Sequence, residues 1–186
     1  MTSHLTFSSK SVILIIHFLL GETIMTDQNN DSASAVTWFN QGVELAKKGA
    51  FDDALFCFDK SLEAAPNDTN TLNTKALTLQ QMGKLDKALQ CYDKTLSLDP
   101  QNITALTDKG QVCHKLEKYR EAIAFYDRSL MLKPNIFETL YNKALALVNL
   151  NQLTKAVDCL EKAVQITPHP QAMKLTKLLK EKLETN

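Results

Sequence analysis

The residues of this chain that could do chemistry are four histidines, four cysteines and a few paired acids. His4, His17, His114 and His169 stand far apart, and none has another ligand-type residue at metal-site spacing. A zinc site needs three or four converging ligands. Cys113 and His114 are adjacent, so a helix turns them to different faces. Asp52 and Asp53 form the kind of carboxylate pair that serves acid–base catalysis, but a helix start, where negative charge is favoured, explains both. Neither a glycine-rich phosphate loop nor a Gly-x-Ser-x-Gly elbow is present. The expectation is a protein that is not an enzyme and takes no cofactor, no metal and no small-molecule substrate.

What must position any functional side chain is a 34-residue unit written four times over residues 35–170, without insertion or deletion. Trp38, Gly42, Leu45, Ala54, Phe58 and Pro66 of the first copy become Leu72, Ala76, Leu79, Ala88, Tyr92 and Pro100 in the second. The third reads Leu106, Gly110, Cys113, Ala122, Tyr126 and Pro134, and the fourth Leu140, Ala144, Leu147, Ala156, Leu160 and Pro168. Each unit divides into two helices. Trp38, Gly42 and Leu45 share one helical face, and Gly49 ends that helix in the left-handed cap. Ala54, Phe58, Ser61 and Leu62 form the buried face of the second helix, which Pro66 stops. Small residues at 42, 76, 110 and 144 are expected where the two helices of one unit cross. Ala54, Ala88, Ala122 and Ala156 are expected where the second helix meets its neighbours.

Two positions vary in an informative way. The turn between the helices recurs as Gly49, Gly83, Glu117 and Asn151, and glutamate takes a positive φ less readily than glycine or asparagine. The helix cap is read at Asp52, whose carboxylate suits a helix start, and that position recurs as Asp86, Arg120 and Thr154. The third unit departs at both, so its turn is expected to be the least regular. The dipeptides Asp59-Lys60, Asp93-Lys94, Asp127-Arg128 and Glu161-Lys162 recur in phase, which reads as a solvated outer face.

Composition narrows the partners. The chain holds 21 basic and 21 acidic residues with no clustered Lys/Arg stretch, so no nucleic acid is expected. Cys57, Cys91 and Cys159 share one repeat position, at least a helix pair apart, beyond the ~7 Å Cα separation a disulfide allows. They read as thiols packed as small hydrophobes in a reducing, cytoplasmic compartment. Whether Cys113 pairs with Cys91 across a repeat boundary is left open by the spacing.

The ends lie outside the repeat. Residues 1–34 form a leader in which Val12–Leu20 is an apolar run, too short for the ~20 residues that span a bilayer. Three readings fit residues 1–24: a mis-assigned start before Met25, a signal or weak anchor, or a helix docked on the array. The protein would be exported or membrane-tethered only if they act as a signal or anchor. After residue 170 the repeat register is lost. Ala172, Leu175, Leu179 and Leu183 make one stripe on a lysine- and glutamate-rich helix over 171–186, suited to close the last hydrophobic surface.

Period and pattern resemble the tetratricopeptide repeat, with copies at 35–68, 69–102, 103–136 and 137–170. The resemblance implies an all-α, right-handed superhelical solenoid of helix–turn–helix units. It also implies that the first helices line a concave face, where a partner would meet Phe39, Asn40 and Val43, then Asn73, Thr74 and Leu77. The third and fourth units would add Thr107, Asp108 and Gln111, then Tyr141, Asn142 and Leu145. Members that clamp a chaperone's C-terminal carboxylate supply lysine, asparagine and arginine at set positions. Here those positions hold Phe39, Val43, Thr74, Thr104 and Asp108, or, one unit on, Asn73, Leu77, Asp108, Glu138 and Asn142, so no carboxylate-clamp tail is expected. Members that hold extended peptides by the backbone use an asparagine ladder, half kept here as Asn40, Thr74, Asp108 and Asn142. An asparagine near mid-helix can equally just bond its neighbour. The resulting expectation is a scaffold or adaptor that binds another protein or peptide in the concave groove. Its rival is a self-associating or membrane-tethered assembly subunit.

Overall fold

The computed structural model describes residues 28–185, and all the regular elements among them are α-helices. In chain order they are α1 (Gln28–Lys47), α2 (Phe51–Ala64), α3 (Thr69–Gln81), α4 (Leu85–Leu98), α5 (Ile103–Lys115), α6 (Tyr119–Leu132), α7 (Phe137–Asn149), α8 (Leu153–Ile166) and α9 (Pro170–Glu184). The first helix begins inside the stretch read as a polar leader, while the apolar run at 12–20, His4 and His17 lie outside the described residues. Each helix packs chiefly on the helices before and after it. The odd-numbered helices α1, α3, α5 and α7 also touch in succession, and no comparable contact joins the even-numbered ones. The first helices therefore form the inner wall of a curved all-α solenoid, and the second helices its outer wall.

The four turns between paired helices share one geometry. Gly49, Gly83, Glu117 and Asn151 all take positive φ, at 78°, 74°, 60° and 56°. In each, the next residue's N–H reaches back to the carbonyl five residues earlier: Ala50 to Leu45, Lys84 to Leu79, Lys118 to Cys113 and Gln152 to Leu147, at 2.9–3.0 Å. The third turn is as regular as the others, contrary to expectation. The turn's backbone hydrogen bonds, from Glu117 N–H to His114 and from Lys118 N–H to Cys113, hold Glu117 in the left-handed region against a cost of ~1–2 kcal/mol.

The helix caps also fall elsewhere. The residues capping α2, α4, α6 and α8 are Ala50, Lys84, Lys118 and Gln152, none of which makes a side-chain cap. Asp52 and Asp86 instead sit in the first turn, where their charge meets the helix dipole. Side-chain capping occurs between repeats: Asp68 accepts from the Thr71 N–H at 3.0 Å, and Asn102 from the Ala105 N–H at 3.0 Å.

The core runs as one file between the walls. Ala54, Phe58, Ala88, Tyr92, Ala122, Tyr126, Ala156 and Leu160 are wholly buried. Cys57 joins this face, whereas Leu62 is only half-buried. Gly42 and Gly110 sit at helix crossings where a Cβ would come within 2.6 Å of Phe58 and 2.5 Å of Tyr126. All four cysteines are free thiols, Cys91 and Cys113 included. Burial raises the Cys91, Cys113 and Cys159 thiols, which makes them poor nucleophiles. On the outer wall the recurring aspartates are more than solvated. Asp59, Asp93 and Asp127 each take the ammonium of the next first helix, from Lys75, Lys109 and Lys143. Helix α9 lies on α8, with Ala172 and Leu179 buried in the cluster that holds Val157 and Leu160. Leu175 is half-buried against it, and Leu183 is exposed.

Candidate binding groove

The inner wall is built by α1, α3, α5 and α7, whose apolar stripes face the second helices, leaving polar and mixed side chains toward the concavity. Phe39 leans back into the wall, its ring 6.1 Å from Phe58. Asn40 is exposed, Val43 half-buried, and Leu77 is 41% exposed. Asn73 is fixed by donating its amide to Asn102 Oδ1 at 3.1 Å, which joins two repeats. Thr74 donates its hydroxyl to its own helix at the Asn70 carbonyl, 2.8 Å away. Its proton is therefore committed to the helix and not free for a partner. Thr107 is turned out of the groove altogether. Its buried hydroxyl bonds Ser129 at 2.9 Å and Thr139 at 3.0 Å in the interface between the third and fourth repeats.

The remaining positions gather around α5 and α7. Gln111, Asn142 and Leu145 line one cavity of about 140 Å³ together with His114, Lys115 and Tyr126. Tyr141 stacks on Phe137, with ring centroids 5.8 Å apart and planes within 9°, and His169 closes this aromatic group at 5.3 Å from Phe137. His114 is linked to α7 by the Asn149 amide at 3.2 Å. Its partial burial lowers its pKa, favouring the neutral imidazole.

Asp108, on the same helix, is half-buried, and that desolvation alone lifts its carboxyl to about 6. Two buried phenols sense its charge: Tyr92 from α4 and Tyr126 from α6, each pushed well above the usual tyrosine range chiefly by burial. Neither hydroxyl has a hydrogen-bond partner. Tyr92 and Tyr126 were read as repeat positions and His169 as an isolated histidine, and neither they nor Phe137 were placed at the groove. A signal existed: the position held by Phe58 and Leu160 in the outer repeats carries a hydroxyl in the two central ones. Among the described residues, no three His, Cys, Asp or Glu side chains converge as metal ligands, and no helix is long and apolar enough to cross a membrane.

Known proteins are similar to this arrangement. Residues 47–129 match the family described as anaphase-promoting complex, cyclosome, subunit 3, and residues 110–179 match the tetratricopeptide repeat. No curated protein sequence matches the chain. Among solved structures, MamA from Desulfovibrio magneticus RS-1 is 22% identical, over 81% of this chain and 86% of its own, with a TM-score of 0.74. PilF of Pseudomonas aeruginosa is 19% identical, over 84% and 72%, with a TM-score of 0.76. The first tetratricopeptide domain of Spaghetti (RPAP3), bound to the HSP90 peptide SRMEEVD, is 25% identical, over 64% and 95%, with a TM-score of 0.62.

Proposed function

We propose that this chain, a tetratricopeptide-like repeat array of stacked helix–turn–helix units, is a non-catalytic scaffold for protein–protein interaction whose inner wall holds a peptide segment of another protein. The observation that carries this reading is the α5–α7 region. There Phe137 and Tyr141 stack on α7, the helix that also gives Asn142 and Leu145 to a cavity completed by Gln111, His114, Lys115 and Tyr126. Such a surface offers apolar burial along the segment and hydrogen bonds to its backbone. The Spaghetti domain holds an acidic peptide. This wall instead presents Asp108 and Glu138 against Lys47 and Lys115, and Lys47 is engaged by Glu44 at 2.9 Å, so that ligand is not expected.

Peptides selected from a random linear library displayed on phage, with the full chain as bait, test the reading. Tyr141→Ala should weaken the selected peptides more than Lys115→Ala, and raised salt should matter little. Peptides indifferent to Tyr141→Ala and released by salt would place the binding face elsewhere. The reading as a self-associating subunit draws on the far end, where Ile166, Met173 and Leu178 are 38%, 51% and 58% exposed. A mass that rises with concentration would favour it.

A further inference from the structure

Arg120 takes the position that Asp52, Asp86 and Thr154 hold in the other repeats. A cation is ill suited there, because the positive end of the helix dipole favours acids in a first turn. The next outer helix repeats the anomaly. The first turns of α2, α4 and α6 each carry an acid, whereas that of α8 carries none and holds Lys155. Neither positive charge helps its own helix.

Both side chains line one cavity of about 480 Å³ on the outer wall, enclosed by α6, α7 and α8 between the third and fourth repeats. Its charged lining is Arg120, Lys143, Lys155 and Lys162 against Asp127 and Asp158. Lys143 and Asp127 pair at 2.6 Å and cancel. Among the described residues, no ion pair engages Arg120, Lys155, Lys162 or Asp158. Three cations therefore face one acid, an excess of two positive charges. Half-buried Ile123 and Leu150 give the cavity an apolar side.

That excess selects a ligand chemistry. A phosphate monoester carries about −1.5 to −2 charges at pH 7, which matches it where a single carboxylate does not. The Arg120 guanidinium is shaped to grip two phosphate oxygens at once, and the two ammonium groups act as point charges. The volume lies within the ~300–1,000 Å³ of sites that hold whole small ligands. The apolar side favours an ester with an organic body over the bare ion. Cys159 also lines the cavity, but its buried thiol is a poor nucleophile, so the ester is bound and not cleaved.

We propose that this outer-wall cavity is a binding site for a phosphate monoester, with Arg120, Lys155 and Lys162 on the phosphate and Ile123 and Leu150 against the organic body. The site is separate from the inner wall and does not depend on the groove reading. Phenyl phosphate, inorganic phosphate and benzoate test it, each titrated into the isotope-labelled full-length protein and followed by amide NMR shifts. Phenyl phosphate should saturate, bind tighter than either of the others, and shift amides of α6 and the first half of α8.

Arg120→Gln and Lys162→Gln should each lower the affinity for phenyl phosphate about ten-fold. Asp158→Asn should raise it. All three side chains are exposed, and a melting curve shows that each variant is folded. Lys87→Gln and Lys94→Gln alter the same repeat positions as Lys155 and Lys162, two units earlier on α4, and should leave the affinity within about twofold. An equal loss in those two variants would reveal attraction to surface charge at large and overturn the site. Phenyl phosphate that binds no tighter than benzoate would overturn it too. A phosphotyrosine within a short uncharged peptide identifies the source of the ester. Affinity equal to that of phenyl phosphate assigns it to a phosphorylated side chain of a partner, and lower affinity assigns it to a small molecule.

Discussion

Gly110 and Tyr126 meet with no room for a methyl group. A Cβ at position 110 would stand 2.5 Å from Cε1 and 2.8 Å from Cδ1 of a ring that is itself wholly buried. The ring cannot swing aside, because Ala122 and Cys113 pack in the same cluster. Alanine is otherwise preferred to glycine in a helix by ~1 kcal/mol. Overpacking of this kind costs ~1–3 kcal/mol and outweighs that preference. Gly110→Ala should therefore destabilise the fold by about 1 kcal/mol net, read as a lowered urea midpoint at unchanged slope. A raised midpoint would show that the ring relaxes freely.

Glu117 offers the opposite sign. Its φ of 60° occupies a region that glycine enters without penalty, and its side chain is exposed. Glu117→Gly should relieve the left-handed conformation and stabilise the protein by ~0.5–1 kcal/mol, with part of the gain lost to the greater freedom of the unfolded chain. A fall in the midpoint would mean that the Glu117 side chain makes a contact worth more than the strain.

The period and the pairing of helices were legible because small residues, turn residues and prolines recur in phase through residues 35–170. The hydrogen bonding was less so. Asp52 and Asp68 are equally good cap residues by type, and only the chain path shows that Asp68 makes the cap. Thr107 and Thr74 look alike in sequence, yet one is buried against Ser129 and the other bonds its own helix. That difference depends on the neighbouring repeat. Ser61 meets Thr71 at 3.2 Å, and Ser129 and Thr139 both meet Thr107 at about 3.0 Å. Ala105 breaks the series and leaves the Thr95 hydroxyl buried without a partner. Such pairings are set across repeats, where a single-unit reading does not reach.

Removal of residues 171–186 should harm the fold more than removal of residues 1–24. Helix α9 covers Val157 and Leu160 of the last repeat with Ala172, Leu175 and Leu179. Exposing one such aliphatic side chain costs ~1.5–3 kcal/mol, and the uncovered face is a route to aggregation. A chain ending at Pro170 should melt lower or associate, while one beginning at Met25 should keep the helicity and cooperative melting of the full chain. If the shortened C-terminus melts like the parent, α9 does not close the array.

Asp108 makes the unliganded fold sensitive to pH. Its carboxyl titrates at about 6 in the folded chain and near 3.9 when unfolded. Between those values the folded state holds the extra proton, so this group's contribution to stability is complete below about pH 4 and is lost as pH rises through 6. The neighbours that face it do not blur the window. The phenols of Tyr92 and Tyr126 stay neutral throughout, since burial raises both. His114 and Lys115 sit further along α5, and α7 brings the uncharged Asn142. Asp108→Asn removes the titration and keeps the shape. The variant should match the parent near pH 4 and exceed it above pH 7 by an amount of the order of 2 kcal/mol. Paired urea melts across that range measure the difference directly. Equal stability at all pH values would show that the carboxylate is solvated and ordinary.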